Sequence, residues 1–217
     1  MSDAFIRCAH LKSIYIPKAV RYVSAFVGCS SLESIVVDAD NPYLDSRNNC
    51  NAIIETATNK LIAGCVSTII PNDVVAIGQM AFAGMESISE VNVPDGVYDI
   101  GFDAFSGTQW FDSQPEGVVY AGKVAYRVKG QVTNGTDIVL REGTNGIAEY
   151  AFEDDNCQGP LSVTIPKSVV YISRYAFWQC WELKSLYLTL YYIGFSLKNP
   201  SIRHSDIYYV GNLIDNA

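Results

Sequence analysis

The sequence predicts a repeat solenoid, mostly β with short helical turns and about seven rungs. Three observations predict it. One phrase recurs: "IPKAVRYVSAFVGCSSLESIVV", "IPNDVVAIGQMAFAGMESISEVNV" and "IPKSVVYISRYAFWQCWELKSLYL". The copies keep a near-constant spacing, and a period of 20–50 residues marks stacked repeat units. Each copy also joins an alternating apolar segment to a proline stop.

The register follows from the phenylalanines. Phe5 precedes Cys8, Leu11, Ile14, Ile16 and Pro17. At the same offsets Phe82 precedes Met85, Ile88, Val91, Val93 and Pro94. Phe26 gives Cys29, Leu32, Ile35 and Val37, and Phe177 gives Cys180, Leu183, Leu186 and Leu188. From the prolines, Pro71 leads to Val74, Ile77 and Phe82. Pro94 leads to Val97, Ile100 and Phe105, and Pro166 to Val169, Ile172 and Phe177. Pro71 to Pro94 is 23 residues, whereas Phe5 to Phe26 is 21. A degenerate copy lies between. Adding 47 to Val91, Val93, Ile100 and Phe105 lands on Ile138, Leu140, Ile147 and Phe152, with Arg141 in the proline slot.

Each element has a physical reason. The "SIYI" type segment alternates with period two, so it is a half-buried strand. Proline lacks the N–H a ladder needs and ends that strand. The Val-x-x-Ile stretch turns the chain back. The Ala-Phe-x-x-Cys stretch is expected as one tight helical turn with Phe and Cys inward. A single unit cannot bury its apolar face, and stacking supplies the core.

Two segments interrupt the period, at about 38–65 and about 108–135. In the second, "GVVYAGKVAYRV" places alternating runs on either side of Ala121-Gly122-Lys123, a hairpin signal. Both are read as lengthened rungs, not domain boundaries. The organisation is then a single domain over 1–217, with rungs at about 5–190 and an irregular segment at 191–217.

The segments "LKSIYIPKAV", "IPNDVVAIGQMAF", "VNVPDGVYDIGFDAF" and "VTIPKSVVYISRYAFWQC" resemble the leucine-rich repeat family, specifically its BspA-like branch of 23-residue, type 5 repeats. The first insertion is similar to that family's Asp-x-x-Asn-Pro-x-Tyr segment, with Leu44 following Tyr43. The resemblance implies a right-handed leucine-rich-repeat superhelix and a secreted or cell-surface adhesion role. There are departures. The chain opens in mid-unit at "DAF" with no polar cap before it, and beyond Leu188 the phrase decays. "SLKNPSIRHSDIYYVGNLIDNA" is either a degenerate final rung or a cap.

Composition excludes several classes. A net charge of −8 opposes nucleic acid and anionic lipid, which need basic faces. No apolar run approaches the ~18 residues of a membrane helix. "MSDAFIRCAH" shows neither the basic nor the apolar region of a signal peptide. No C-x-x-C pair occurs among the six cysteines, and there are two histidines, so a close-paired zinc site is not expected.

Candidate chemistry is sparse. His10 precedes a strand and His204 lies in the irregular tail, neither with a partner to orient it as a base. Cys8, Cys29 and Cys180 share one slot, read as a buried thiol column rather than a reactive one. Cys50 and Cys65 flank the first insertion and are either bridged or free. Cys157 is the candidate exposed thiol. Asp38, Asp40 and Asp45 resemble a calcium loop loosely, but Tyr43 and Asn49 stand where Gly and Glu are needed. Asn134-Gly135-Thr136 reads as a turn or a glycosylation sequon. Catalytic, metal and cofactor residues are therefore expected to be absent.

The outward strand slot is more informative. It holds Tyr15, Val36, Ile69, Asn92, Val139, Thr164 and Tyr187, and one slot back stand Ser13, Ser34, Ser67, Glu90, Asp137, Ser162 and Ser185. At roughly 4.8 Å per strand, seven rungs predict one inner sheet about 30 Å long. Tyr15, Val36, Ile69, Asn92, Thr164 and Tyr187 are the partner-binding candidates, Tyr supplying contact area at low entropic cost. Trp178 and Trp181 stand beside the Cys180 slot. The expected function is a non-enzymatic module for a protein or glycan partner. The alternative is an assembly piece that self-associates by stacking uncapped end rungs.

Overall fold

A computed structural model of the chain describes residues 5–130, 136–153, 162–180 and 183–188, together with the backbone of 207–209. It is a mostly β solenoid of about seven turns. The chain divides into two units, Met1–Gln114 and Pro115–Ala217.

In the first unit, β1 (Ser13–Ile16) and β2 (Ser34–Val37) pair in parallel, with Tyr15 opposite Val36. Alternation buries Ile16, Ile35 and Val37 and turns Tyr15 and Val36 outward. The first insertion adds β3 (Leu44–Asp45), a short turn of helix at Arg47–Asn49, and the hairpin β4 (Ala52–Glu55) and β5 (Lys60–Gly64). Strand β5 then pairs in parallel with β6 (Ala76–Ile77), and β6 with β7 (Asp99–Ile100). The Val-x-x-Ile stretches thus form a second ladder of two-residue strands, begun by the inserted hairpin. A single helical turn, α1 (Gln109–Asp112), follows. Thr108 caps it by accepting from the Phe111 N–H, and Trp110 packs edge-on against Phe105 at 5.2 Å.

The second unit repeats the plan. The hairpin β8 (Gly117–Ala121) and β9 (Val124–Lys129) turns at Gly122, where φ is +59°. β10 (Asp137–Val139) precedes β11 (Gly146–Ile147), β12 (Ser162–Ile165), β13 (Tyr171–Ile172) and β14 (Ser185–Leu188). Strand β9 pairs with β11 and β11 with β13, while β10, β12 and β14 form a parallel ladder. The last strand, β15 (Ile207–Tyr209), joins β14 with Tyr208 opposite Tyr187. The tail therefore supplies a further rung rather than only a cap.

Two expectations need correction. The inner strands do not make one seven-strand sheet. Residues 67–70 and 90–93 lie outside any ladder, so the strand slots of Ile69 and Asn92 pair with no neighbouring strand. At the first of these rungs the insertion supplies other partners. Ile69 donates its N–H to Cys50, and Thr68 Oγ1 donates to the Asn51 carbonyl at 2.5 Å, so this rung is held to the insertion.

The Ala-Phe-x-x-Cys stretch is also not helical. Its backbone is left-handed two residues before Phe at Met80, Asp103, Tyr150 and Tyr175. It is left-handed again two residues after Phe at Arg7, Gly28, Gly84, Gly107 and Gln179. This alternation aims N–H groups along the stack. Met80, Phe82 and Gly84 donate to Phe102, Ala104 and Ser106, each at 2.8 Å. In a helix those donors would serve their own turn instead. Phenylalanines stack beneath, Phe82 on Phe105 at 5.3 Å and Phe152 on Phe177 at 4.7 Å.

A left-handed backbone favours glycine. At Gly84 a Cβ would also meet Gly28 Cα and N at 3.0 Å. Gly84→Ala should therefore cost about 2 kcal/mol, whereas Gln179→Gly, at φ +59°, should gain up to about 1 kcal/mol. Urea denaturation of the two variants checks the opposite signs.

Candidate binding surface

The parallel ladders place in-register side chains side by side at strand spacing. Tyr15, 57% exposed, lies beside exposed Val36. In the second unit Val139, Thr164 and Tyr187 form one row, with Val139 71% exposed and the other two half-buried. Ile69 is 76% exposed and Asn92 is exposed, but neither belongs to a row. The structure thus groups the six candidates as Tyr15 with Val36, Thr164 with Tyr187, and Ile69 and Asn92 outside the ladders. The serine slot lines up as expected: Ser13 faces Ser34, and Ser162 faces Ser185. Ser162 donates to Asp137 at 2.5 Å.

Tyr15 is oriented rather than loose. Its hydroxyl donates to Asp38 Oδ2 at 2.5 Å. That bond raises the Tyr15 pKa and holds the Asp38 carboxyl below its usual value. Asp38 Oδ1 also accepts the Asp40 N–H at 2.9 Å, as an Asx turn.

The first insertion is pinned beside this row by two polar groups. Asn41, 8% exposed, donates to the Pro17 and Val20 carbonyls at 3.0 and 2.9 Å, and its oxygen accepts from Tyr43 and Leu44, both at 2.9 Å. Both N–H donors and both acceptor positions of that amide are used. Arg47 forks onto Asp45 at 2.8 and 2.6 Å and reaches Asn59 at 2.8 Å and Asp73 at 2.6 Å. This joins insertion, hairpin and next rung.

Burial pushes the Asp45 carboxyl up, but hydrogen bonds from Arg47 and Thr56 outweigh it and the net shift is downward. A depressed carboxylate stabilises the fold above the unfolded pKa, near 4, and loses that contribution as pH falls through its folded value. The melting-temperature gap between wild type and Asp45→Asn should therefore shrink as pH drops from about 6 to about 2.

Arg141 explains its own departure from the repeat. Its backbone N–H, which proline would lack, donates to the Tyr120 hydroxyl at 3.0 Å. Its guanidinium lies 3.9 Å from the Tyr120 ring centroid and donates to the Gly122 carbonyl. The second hairpin is thereby clamped as the first is by Arg47.

Of the expected buried thiol column only Cys29 is buried, while Cys180 is half-buried. Cys29 donates to the Phe5 carbonyl at 2.9 Å and Cys180 to that of Phe152 at 3.1 Å, each tying one rung to the one before. Cys8, expected in the same column, is exposed. Cys50 and Cys65 are buried free thiols; Cys65 donates to Asn51 at 3.3 Å. Cys157, His204, Trp181 and the Asn134-Gly135 turn lie outside the described residues. Trp178 is half-buried, edge-on to Tyr175 at 5.2 Å. His10 is exposed.

Sequence reasoning missed Val139, which shared the outward slot, and Tyr22, 89% exposed in a groove of about 400 Å³ with Ile6 and Met80. The signal for Tyr22 was its offset of five from Pro17, which it shares with Asp99 after Pro94 and with exposed Tyr171 after Pro166.

Strand-and-turn rungs with a phenylalanine core define the class: a leucine-rich-repeat solenoid. The chain belongs to the BspA type leucine rich repeat region family, whose model matches in six copies over residues 1–54, 63–184 and 126–199. Among solved structures, it is similar to a leucine-rich repeat protein from Eubacterium ventriosum at 15% identity and TM-score 0.42, over 87% of this chain and 56% of that one. It is also similar to the pneumococcal vaccine antigen PcpA at 15% identity and TM-score 0.48, over 95% and 53%. The chain thus spans about half the length of these two proteins. Among curated proteins none matches.

Proposed function

We propose that this chain is a non-enzymatic module that binds a protein partner through the outward rows of its strand ladders, in an adhesive role at a cell surface. The observation that carries the reading is the in-register grouping of exposed Tyr15 with Val36, and of exposed Val139 with half-buried Thr164 and Tyr187. A parallel ladder holds such side chains at fixed spacing, so little rotamer and backbone entropy remains to be lost on binding. Tyrosine and aliphatic contacts with few charges suit a protein surface better than a phosphate or a metal. The adhesive role follows from the family resemblance.

The test is affinity capture from a defined mixture of extracellular proteins, with wild type against Tyr15→Ala/Tyr187→Ala. Tyr15 gives up its bond to Asp38 and Tyr187 is half-buried, so the melting temperature of the double variant is measured first and capture is compared where both proteins are folded. Loss of captured partner by about tenfold or more supports the reading. Equal capture removes the ladder rows from the function.

A further inference from the structure

The break in the ladder has its own chemistry. Ser89–Val93 carries the alternating pattern of a rung strand yet joins no ladder. Among the described residues, none of its five N–H groups or carbonyls has a hydrogen-bond partner. An unpaired backbone with a strand's alternation is a template for another strand.

A cavity of about 280 Å³ adjoins it. Phe82, Phe105, Ile69, Ile88 and Val91 give it an apolar lining. That is slightly below the ~300 Å³ at which small-molecule pockets begin, so it suits inserted side chains better than a whole ligand. Glu90 is the one charged residue on its lining, in a chain of net charge −8. Complementarity therefore calls for a basic residue on the occupant.

We propose that Ser89–Val93 is a docking strand for an extended peptide segment of a protein partner. The segment pairs through backbone hydrogen bonds, lowers alternate apolar side chains into the cavity, and sets a lysine or arginine against Glu90. This goes beyond the ladder-row reading, for it needs neither Tyr15 nor Tyr187. It also accounts for why Ile69 and Asn92, which line the cavity, stand apart from the rows.

The experiment titrates the full chain into a fluorescein-labelled peptide, Ser-Val-Thr-Ile-Pro-Lys, the chain's own rung strand at residues 162–167. Polarisation is read against a scrambled peptide and against a version ending in glutamate. Saturable binding of the lysine peptide alone is expected. Glu90→Lys should weaken it about tenfold or more and favour the glutamate version. Asn92→Pro, which removes one backbone donor, should weaken both. Tyr15→Ala/Tyr187→Ala should change nothing, so failure here is separable from failure of the ladder-row reading. Glu90→Lys is a surface change whose fold is checked by its melting temperature, and it keeps the test open if the proline variant does not fold. Absence of saturation at about 1 mM, or equal affinity in Glu90→Lys, overturns the proposal. So does a dimer in sedimentation that the peptide dissociates, since the strand would then belong to a second copy of this chain.

Discussion

Asn41→Ala is expected to destabilise the protein by about 4 kcal/mol, the largest effect of any single substitution considered. The side chain is buried and makes four hydrogen bonds, two donated and two accepted. Truncation leaves the Pro17 and Val20 carbonyls and the Tyr43 and Leu44 N–H groups without it. Each buried group left unsatisfied costs about 1–3 kcal/mol, less where water enters. Thermal and urea unfolding should both show the loss. Asn41→Asp separates the two halves. It keeps the acceptor for Tyr43 and Leu44 but sets a carboxylate against two carbonyls, at a cost of about 2 kcal/mol at neutral pH. Its folded pKa should be raised, so the penalty holds above that pKa and eases as pH falls and the protonated oxygen can donate. A variant that is less stable at pH 4 than at pH 7, relative to wild type, would refute this account of the amide.

Gly101→Ala is expected to cost about 3 kcal/mol, at the upper end for overpacking. A Cβ there would stand 2.5 Å from the backbone N of Gln79, 2.8 Å from its Cα and 2.9 Å from the Gly78 carbonyl carbon. Those are backbone atoms of the neighbouring rung, and Gly101 itself donates to Ile77 at 2.9 Å. The rungs can part only by stretching that ladder. Gly96→Ala is the control. Its Cβ would meet the Asn72 and Val74 carbonyl oxygens at 3.6 and 3.8 Å, ordinary contact distances. With unfolded-state entropy reduced and no clash, that variant should gain about 0.4–1 kcal/mol. Equal melting temperatures for the two alanine variants would show that rung spacing at Gly101 is slack.

These positions also mark how far the sequence could be read. Gly78 and Gly101 were visible as residues following the second-ladder isoleucines, but the same slot holds Ala148 and Ser173 in the second unit. Only the contact with Gln79 distinguishes a required glycine from a tolerated one. Asn41 was legible as part of an Asn-Pro turn. Its two donated bonds go back to residues 21 and 24 positions earlier, and local pattern carries no information about so distant a partner. The candidate surface was legible slot by slot. Period two fixes which side chains point outward, and Tyr15, Val36 and Val139 do. Which of them share a row depends on which rungs pair.

The period, the core phenylalanines, the proline stops and the second hairpin are properties of the sequence itself. They follow from alternation, from a missing N–H and from turn chemistry, all of which act within a few residues. The left-handed turns, the tie of the Ile69 rung to the first insertion and the arginine clamps were decided by the tertiary structure. In each, the deciding atom belongs to a neighbouring rung or an insertion. Hydrogen bonds between rungs select a backbone that local propensity would have made helical, and the first insertion takes the Ile69 N–H beside the break in the ladder.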